Sequence, residues 1–248
     1  MKSEDLASNI QKYLEQNLYI AHQKNSFKKN SKLSSYKINP LTIRYLSKTL
    51  DGGYTPRGVA MALYYPRELG PSLLTTFGTV IQKMFIELNI AESSLLSGMD
   101  IQFIDQLDGH LKYCQLKAGP NTLNSDDVSP MKSKFDKIRN RARTNGERIN
   151  NEDMFVGVIY GNRSDLSRHY QNIDKTYPVY VGADLWFRLT GLDDVYSKIE
   201  FKINSLIEEL ELDYNLNDET REKIDYFNKG LRILTKEVER SELFNFKE

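Results

Sequence analysis

The sequence predicts a mixed α/β fold, with a small central sheet flanked by helices and additional helices at the N- and C-termini. Three observations predict it. An apolar stripe at helical spacing (Leu73, Phe77, Val80, Ile81, Met84, Phe85, Leu88) precedes two strand-like runs, DIQFID and LKYCQLK, that flank Asp108-Gly109. A basic helical segment and then a buried strand-like run, MFVGVIY at 154–160, follow in order. Helical patterns occupy both ends of the chain.

The chain has 248 residues, enough for one sizeable domain, or one domain with a helical annex, that needs no staples. Hydrophobic residues at 40% and charged residues at 27% give an ordinary globular balance, which excludes a disordered or fibrous chain. The single cysteine, Cys114, excludes a disulfide framework and a cysteine-based zinc site. His22, His110 and His169 are too scattered to show metal-ligand spacing. No apolar run approaches membrane-spanning length, and the N-terminus MKSEDLASNIQKYLEQN reads as an amphipathic helix without a secretion signal's apolar core. A cytoplasmic protein with no membrane partner is therefore expected.

After the N-terminal helix signals, a stretch rich in Gly and Pro (Asp51, Gly52, Gly53, Pro56, Gly58, Pro66, Gly70, Pro71) reads as a loop before the helix at 73–88. Glu87 lies at the margin of that helix's stripe. The hairpin at 100–117 is expected to turn on Asp108-Gly109, so that opposed positions sum to 217. Asp100 then faces Lys117, Gln102 faces Gln115 and Ile104 faces Tyr113, all on one face of the sheet. Directly opposed residues lie roughly 5 Å apart, which gathers Asp100, Gln115 and Lys117 into one small polar site. Cys114 points to the other face as a small core residue, and Asp105 is read as a strand-end acid entering the turn, or as a ligand if the register slips. The run AGPNTLNSDDVSP is a loop by composition, and Ser129-Pro130 is expected to start a basic helix ending near Arg143. The strand 154–160 should then run parallel to 111–117. A strand at 177–182 follows, then a short helix with Trp186 as a core anchor, and helices at about 195–212 and 217–241.

Lys and Arg total 34 and Asp and Glu total 34, so only local asymmetry can favour a polyanionic partner. Residues 22–48 hold seven basic residues and no acid: Lys24, Lys28, Lys29, Lys32, Lys37, Arg44 and Lys48. Residues 132–148 hold seven more (Lys132, Lys134, Lys137, Arg139, Arg141, Arg143, Arg148) against Asp136 and Glu147. Such segments suit phosphate contact. Residues 208–248 carry twelve acids against seven bases, which predicts a basic side and an acidic side.

An acid, a polar oxygen and a lysine on one hairpin face suit metal-dependent phosphodiester hydrolysis. Asp100 can bind Mg²⁺, Gln115 and the backbone carbonyl of Leu116 can lend oxygens, and Lys117 can position the attacking water and offset charge developing on phosphate. The residues GMDIQFID and YCQLKAGPN resemble the catalytic hairpin of the PD-(D/E)XK nuclease superfamily. More narrowly, QLKAGPNTLNSDDV, FVGVIYG and LWFRLTGLDDVY resemble type II restriction endonucleases of the TdeIII and EcoO kinds, which cut at GGNCC-centred sites. The resemblance spans roughly residues 75–200.

It implies a restriction-endonuclease-like core with Asp100 as the metal-binding acid, Gln115 at the second acidic position and Lys117 as the catalytic lysine. Gln115 departs from the usual Glu or Asp and removes one negative charge from the site. Glu87 is the candidate to supply it, because helices preceding the hairpin donate an acid in several such nucleases. The loop after Lys117 would lie on DNA, with Asn121, Thr122 and Asn124 as contacts, joined by Lys132, Lys134, Arg139, Arg141, Arg143, Lys28, Lys29 and Lys32. The implied organisation is an N-terminal region for DNA binding and dimerisation (1–70), a catalytic core (71–200) and C-terminal helices packed on the core (201–248), in one compact domain. The expected activity is Mg²⁺-dependent cleavage of double-stranded DNA at a short palindromic site by a homodimer, with a cognate DNA methyltransferase as genetic partner. Two alternatives stand beside it: a repair or structure-selective nuclease of the same superfamily, and a non-catalytic DNA-binding or helical interaction protein in which Asp100 and Lys117 are a plain ion pair.

Overall fold

Along the chain the elements run α1 (Ser3–Leu14), a π-helical stretch at Glu15–Ile20, α2 (Ala21–Asn30), α3 (Ile43–Asp51), α4 (Pro56–Glu68) and α5 (Pro71–Glu87). Then come β1 (Glu92–Ser93), β2 (Ile101–Ile104), β3 (Leu111–Lys117), α6 (Ser125–Thr144), β4 (Met154–Val158) and α7 (Arg168–Asp174). The last are β5 (Val179–Val181), α8 (Ala183–Thr190), α9 (Val195–Asp213) and α10 (Asp218–Arg240). The structure, a computed structural model, describes residues 2–213 and 218–246, with the side chains of 23, 24, 26–28, 71, 72 and 207–227 outside that description. Among the described residues no helix is long and apolar enough to cross a membrane.

The strands form one mixed sheet in the order β1-β2-β3-β4-β5, antiparallel as far as β3 and parallel from there on. This is the small central sheet flanked by helices that the sequence predicts, with β4 parallel to β3 as expected. Its edge strand β1 has only two residues and leaves no pattern to read. β4 and β5 are shorter than expected, because the chain bends away beyond Val158 and Val181.

The hairpin register differs from the expected one. Ile101 pairs with Cys114, Gln102 with Tyr113, Phe103 with Lys112 and Ile104 with Leu111, so opposed positions sum to 215. The connection is longer than a two-residue turn: the Asp105 N–H donates to His110 O at 2.9 Å, and Gly109, at φ 73°, donates to Asp105 O at 2.8 Å. The cause is Asp105. Its buried carboxylate accepts from the Leu107 N–H at 2.9 Å and pairs with Arg188 of α8 at 2.6 Å, which opens the turn around the side chain. The slip is two residues, an even number, so Gln115 and Lys117 still share their face with Gln102, Ile104 and Tyr113.

That face continues across β4 as Met154, Val156 and Val158 and across β5 as Val179 and Val181. Val128, Met131 and Phe135 of α6, with Tyr170 and Ile173 of α7, cover it. Full burial of each such side chain contributes roughly 1.5–3 kcal/mol. On the opposite face Phe103 meets Phe155 edge-on with ring centres 5.9 Å apart, and Phe85 of α5 lies 5.2 Å from Trp186 of α8. Trp186 is buried and donates to Ile159 O at 3.0 Å, the core anchor expected of it. Gly157 makes room there: a Cβ would sit 2.7 Å from the buried Cys114 Sγ and 3.1 Å from Leu185 Cδ1.

Two helix boundaries correct the sequence reading. The Gly- and Pro-rich stretch contains α4, because Thr55 caps Gly58 N–H at 2.9 Å and Pro56 occupies the first turn, where its missing N–H costs nothing. α6 starts at Ser125, not Ser129-Pro130. Asn124 accepts from the Asp126 and Asp127 N–H groups while Asp127 accepts from the Asn124 N–H, a reciprocal cap that precedes the proline and leaves Pro130 inside the helix.

The chain divides into two compact units: residues 1–13 with 78–205, which hold the sheet, and residues 14–77 with 206–248, which are helical. In the helical unit α10 packs on α2 and α4, and α3 packs on α4. Val59 and Tyr64 of α4 share a core with Leu234 and Val238 of α10, so segments near both ends of the chain build one body. Gly230 admits the Tyr64 ring, since a Cβ there would meet the phenol oxygen at 2.2 Å.

Candidate active site

Asp100 stands half-buried just before β2. Its N–H donates to Cys114 O at 2.9 Å, and its Oδ2 accepts from the Leu116 N–H at 2.7 Å. A side chain thus takes the donor next to the hairpin ladder, which ties the carboxylate to the middle of β3. Gln82 of α5 reaches the main-chain oxygen of Asp100 at 3.4 Å. Burial pushes the Cys114 thiol well above its ordinary range, and the nearby Asp100 charge adds to the effect.

The structure therefore ties Asp100 to the main chain of Cys114 and Leu116 on β3, through a register other than the expected one. Gln115 Oε1 is buried and has no hydrogen-bond partner among the described residues, a costly state for an amide oxygen. The N–H and C=O of a strand residue point the same way, so the Leu116 carbonyl also faces the Asp100 side. The Lys117 carbonyl turns to β4 and accepts from the Ile159 N–H at 3.1 Å. Its side chain projects from the Gln115 face, half-buried, two residues further along.

The Asp100 carboxylate, the Gln115 amide oxygen and the Leu116 carbonyl would make an all-oxygen donor set. That set fits Mg²⁺, a hard cation that keeps several waters and needs few protein ligands. Among the described residues no group of three or more His, Cys, Asp and Glu could hold a metal, and Asp100 is the one acid among these three donors. Glu87 does not fill the gap. It is exposed at the end of α5 and accepts from Tyr13, whose phenol is pushed up to about 12, by burial first and then by that bond. α5 turns Gln82 toward Asp100, and five residues further on a helix has rotated by about 140°.

The loop after Lys117 is held from three sides. Gly119 O accepts from Thr122 Oγ1 and from the buried Tyr170 hydroxyl, each at 3.0 Å, and Thr122 and Tyr170 lie 2.8 Å apart. Burial pushes the Tyr170 phenol up to about 12. The Tyr160 ring lies against Gly119, where a Cβ would be 2.3 Å from its oxygen. Of the loop residues expected on DNA, Thr122 spends its hydroxyl inside the loop, Asn124 caps α6, and Asn121 is exposed. The sequence reading passed over Tyr160 and Tyr170, since nothing in their spacing ties them to the loop.

On α6, Lys132 donates to Asn172 at 3.1 Å, and Arg139 bonds Asp136 and Asn151. Arg141 and Arg143 are exposed in the last turn, where they also favour the helix dipole. Lys134 is half-buried against Gly98. In the helical unit Lys29 and Lys32 are exposed, and the Lys28 side chain lies outside the described residues.

A family model described as type II restriction endonuclease EcoO109I matches residues 69–210, more than half of the chain. The match contains the whole sheet and every residue of the Asp100 site. No curated protein matches the sequence.

Proposed function

Since the chain belongs to the type II restriction endonuclease EcoO109I family, and so is a site-specific deoxyribonuclease that binds DNA, we propose that Asp100, Gln115 and Lys117 form its catalytic centre. The observation that carries this reading is the Asp100 carboxylate on the N–H of Leu116, the residue after Gln115, whose buried side-chain oxygen has no partner among the described residues. Asp100, Gln115 Oε1 and the Leu116 carbonyl would hold Mg²⁺. The chemistry Mg²⁺ supplies when bound is Lewis-acid polarisation of the phosphoryl group. Lys117 orients the attacking water and offsets the charge that develops on phosphate. The target is a short palindrome in duplex DNA, GGNCC-like by the resemblance of the loop motif. It is cut by a homodimer with one site per strand, and a cognate methyltransferase protects the host copy.

The test is incubation with unmethylated DNA of known sequence at low salt, with and without Mg²⁺. Discrete fragments that need Mg²⁺ are expected, and their sizes map the site. A smear, or fragments that form equally well in chelator, would overturn the proposal.

Gln115→Glu restores the acidic position and is expected to lower the Mg²⁺ concentration for half-maximal cleavage by about tenfold, because a second carboxylate tightens a hard-cation site. A Mg²⁺ titration of cleavage rate checks it, and an unchanged midpoint would remove Gln115 from the metal set.

A further inference from the structure

Lys134 crosses the backbone at Gly98, two residues before Asp100. Gly98 is at φ 97°, and a Cβ on it would lie 1.9 Å from Lys134 Cε and 2.8 Å from Nζ. Only glycine adopts that conformation freely and also leaves this channel open. On either side of Lys134, Met131 and Phe135 are locked in the core, which fixes the azimuth of α6. Long side chains on a helix lean toward its N-terminus, here the end joined to the loop after Lys117.

The Lys134 side chain is half-buried, and its ammonium makes no hydrogen bond or ion pair with a described residue. Its neighbours on α6 differ: Lys132 is bonded to Asn172 and Arg139 to Asp136 and Asn151. A cation whose stem is held in place without an anion can take one brought by the substrate, where a charge-assisted hydrogen bond to phosphate is strong. Two residues span at most about 7 Å, so Lys134 stands within one nucleotide's reach of the Asp100 backbone.

We propose that Lys134 is a positioning residue that holds the DNA phosphate adjoining the one that is cut. The assignment rests on the nuclease reading above. It separates one lysine from a basic helix whose other members are tethered or project into solvent.

The experiment measures duplex binding by the full-length protein without Mg²⁺ across a salt series, for the wild type, Lys134→Met and Lys134→Arg. The duplex spans a mapped cut site, or is of arbitrary sequence if none is cut. Without its ammonium on a phosphate, Lys134→Met shows a slope of log affinity against log salt reduced by about 0.9, and a raised KM in cleavage. Lys134→Arg keeps the wild-type slope, as does Lys175→Met, an exposed lysine at the end of α7. If Lys134→Met fails to fold, Lys134→Gln is read in the same way. A wild-type slope in the Met or Gln variant overturns the assignment. Should the wild type cut while that slope stays unmoved, only Lys134 falls. A reduced slope with no cleavage under Mg²⁺ leaves Lys134 as a phosphate contact and removes the nuclease reading.

Discussion

Lys117→Ala is expected to lower the cleavage rate at saturating DNA and Mg²⁺ by about 10²–10³-fold, the scale of losing one preorganised charge at a transition state. DNA affinity should change little, because the other phosphate-binding groups remain in place. The structural ground is that β3 presents Lys117 on the Gln115 face, with its main chain pinned by the Ile159 N–H at 3.1 Å. No described residue neutralises its ammonium, so the charge is available to substrate. Single-turnover cleavage alongside binding in chelator separates the two effects. A variant that cuts at the wild-type rate would strip Lys117 of its catalytic role, and one that loses binding as well as cleavage would make it a substrate anchor.

Arg188→Met is expected to destabilise the sheet unit by about 3–5 kcal/mol, the cost of leaving a buried charge without its partner. Asp105 is fully buried, and its Oδ2 lies 2.6 Å from Arg188, which also stacks 3.8 Å from the centre of the Tyr180 ring. The main chain adds a further tie, from Gln106 N–H to Arg188 O at 2.9 Å. Losing the guanidinium exposes the hairpin to the shorter turn that Asp108-Gly109 would otherwise prefer. Denaturant unfolding measures the loss. Arg188→Met combined with Asp105→Leu should recover much of it, since removing both partners leaves no orphan charge. A loss below about 1 kcal/mol in the single variant would mean that the ion pair does not hold the hairpin.

How far the site could be read from the chain depends on the range of the interactions that build it. Asp100, Gln115 and Lys117 stood out because a hairpin and a period of two are local properties. Gln115 and Lys117 kept their shared face of the sheet despite the error in register, because the slip was even. The paired positions did not survive it, since they were set by Arg188 reaching Asp105 across 83 residues of sequence. Boundaries failed for a similar reason. Ser129-Pro130 is a sound cap by composition, but Asn124 and Asp127 form a reciprocal one five residues earlier. In the Gly- and Pro-rich stretch, breakers outweighed VAMALYY in the pattern, while in the fold the apolar face of α4 finds α10 and wins.

Local patterns in the chain were enough to set the order of helix, hairpin, basic helix and strand, the one-face placement of the polar residues, and the motif by which the family is recognised. These rest on periodicity and turn chemistry within a few residues of each other. Only the folded arrangement decided that Gln115 Oε1 is buried without a partner, that Glu87 turns away to Tyr13, that Thr122 and Asn124 serve the loop and the helix cap, and that Lys134 threads past Gly98. Each of those depends on which distant side chain fills a given space, and close packing settles that only once all the elements are in place.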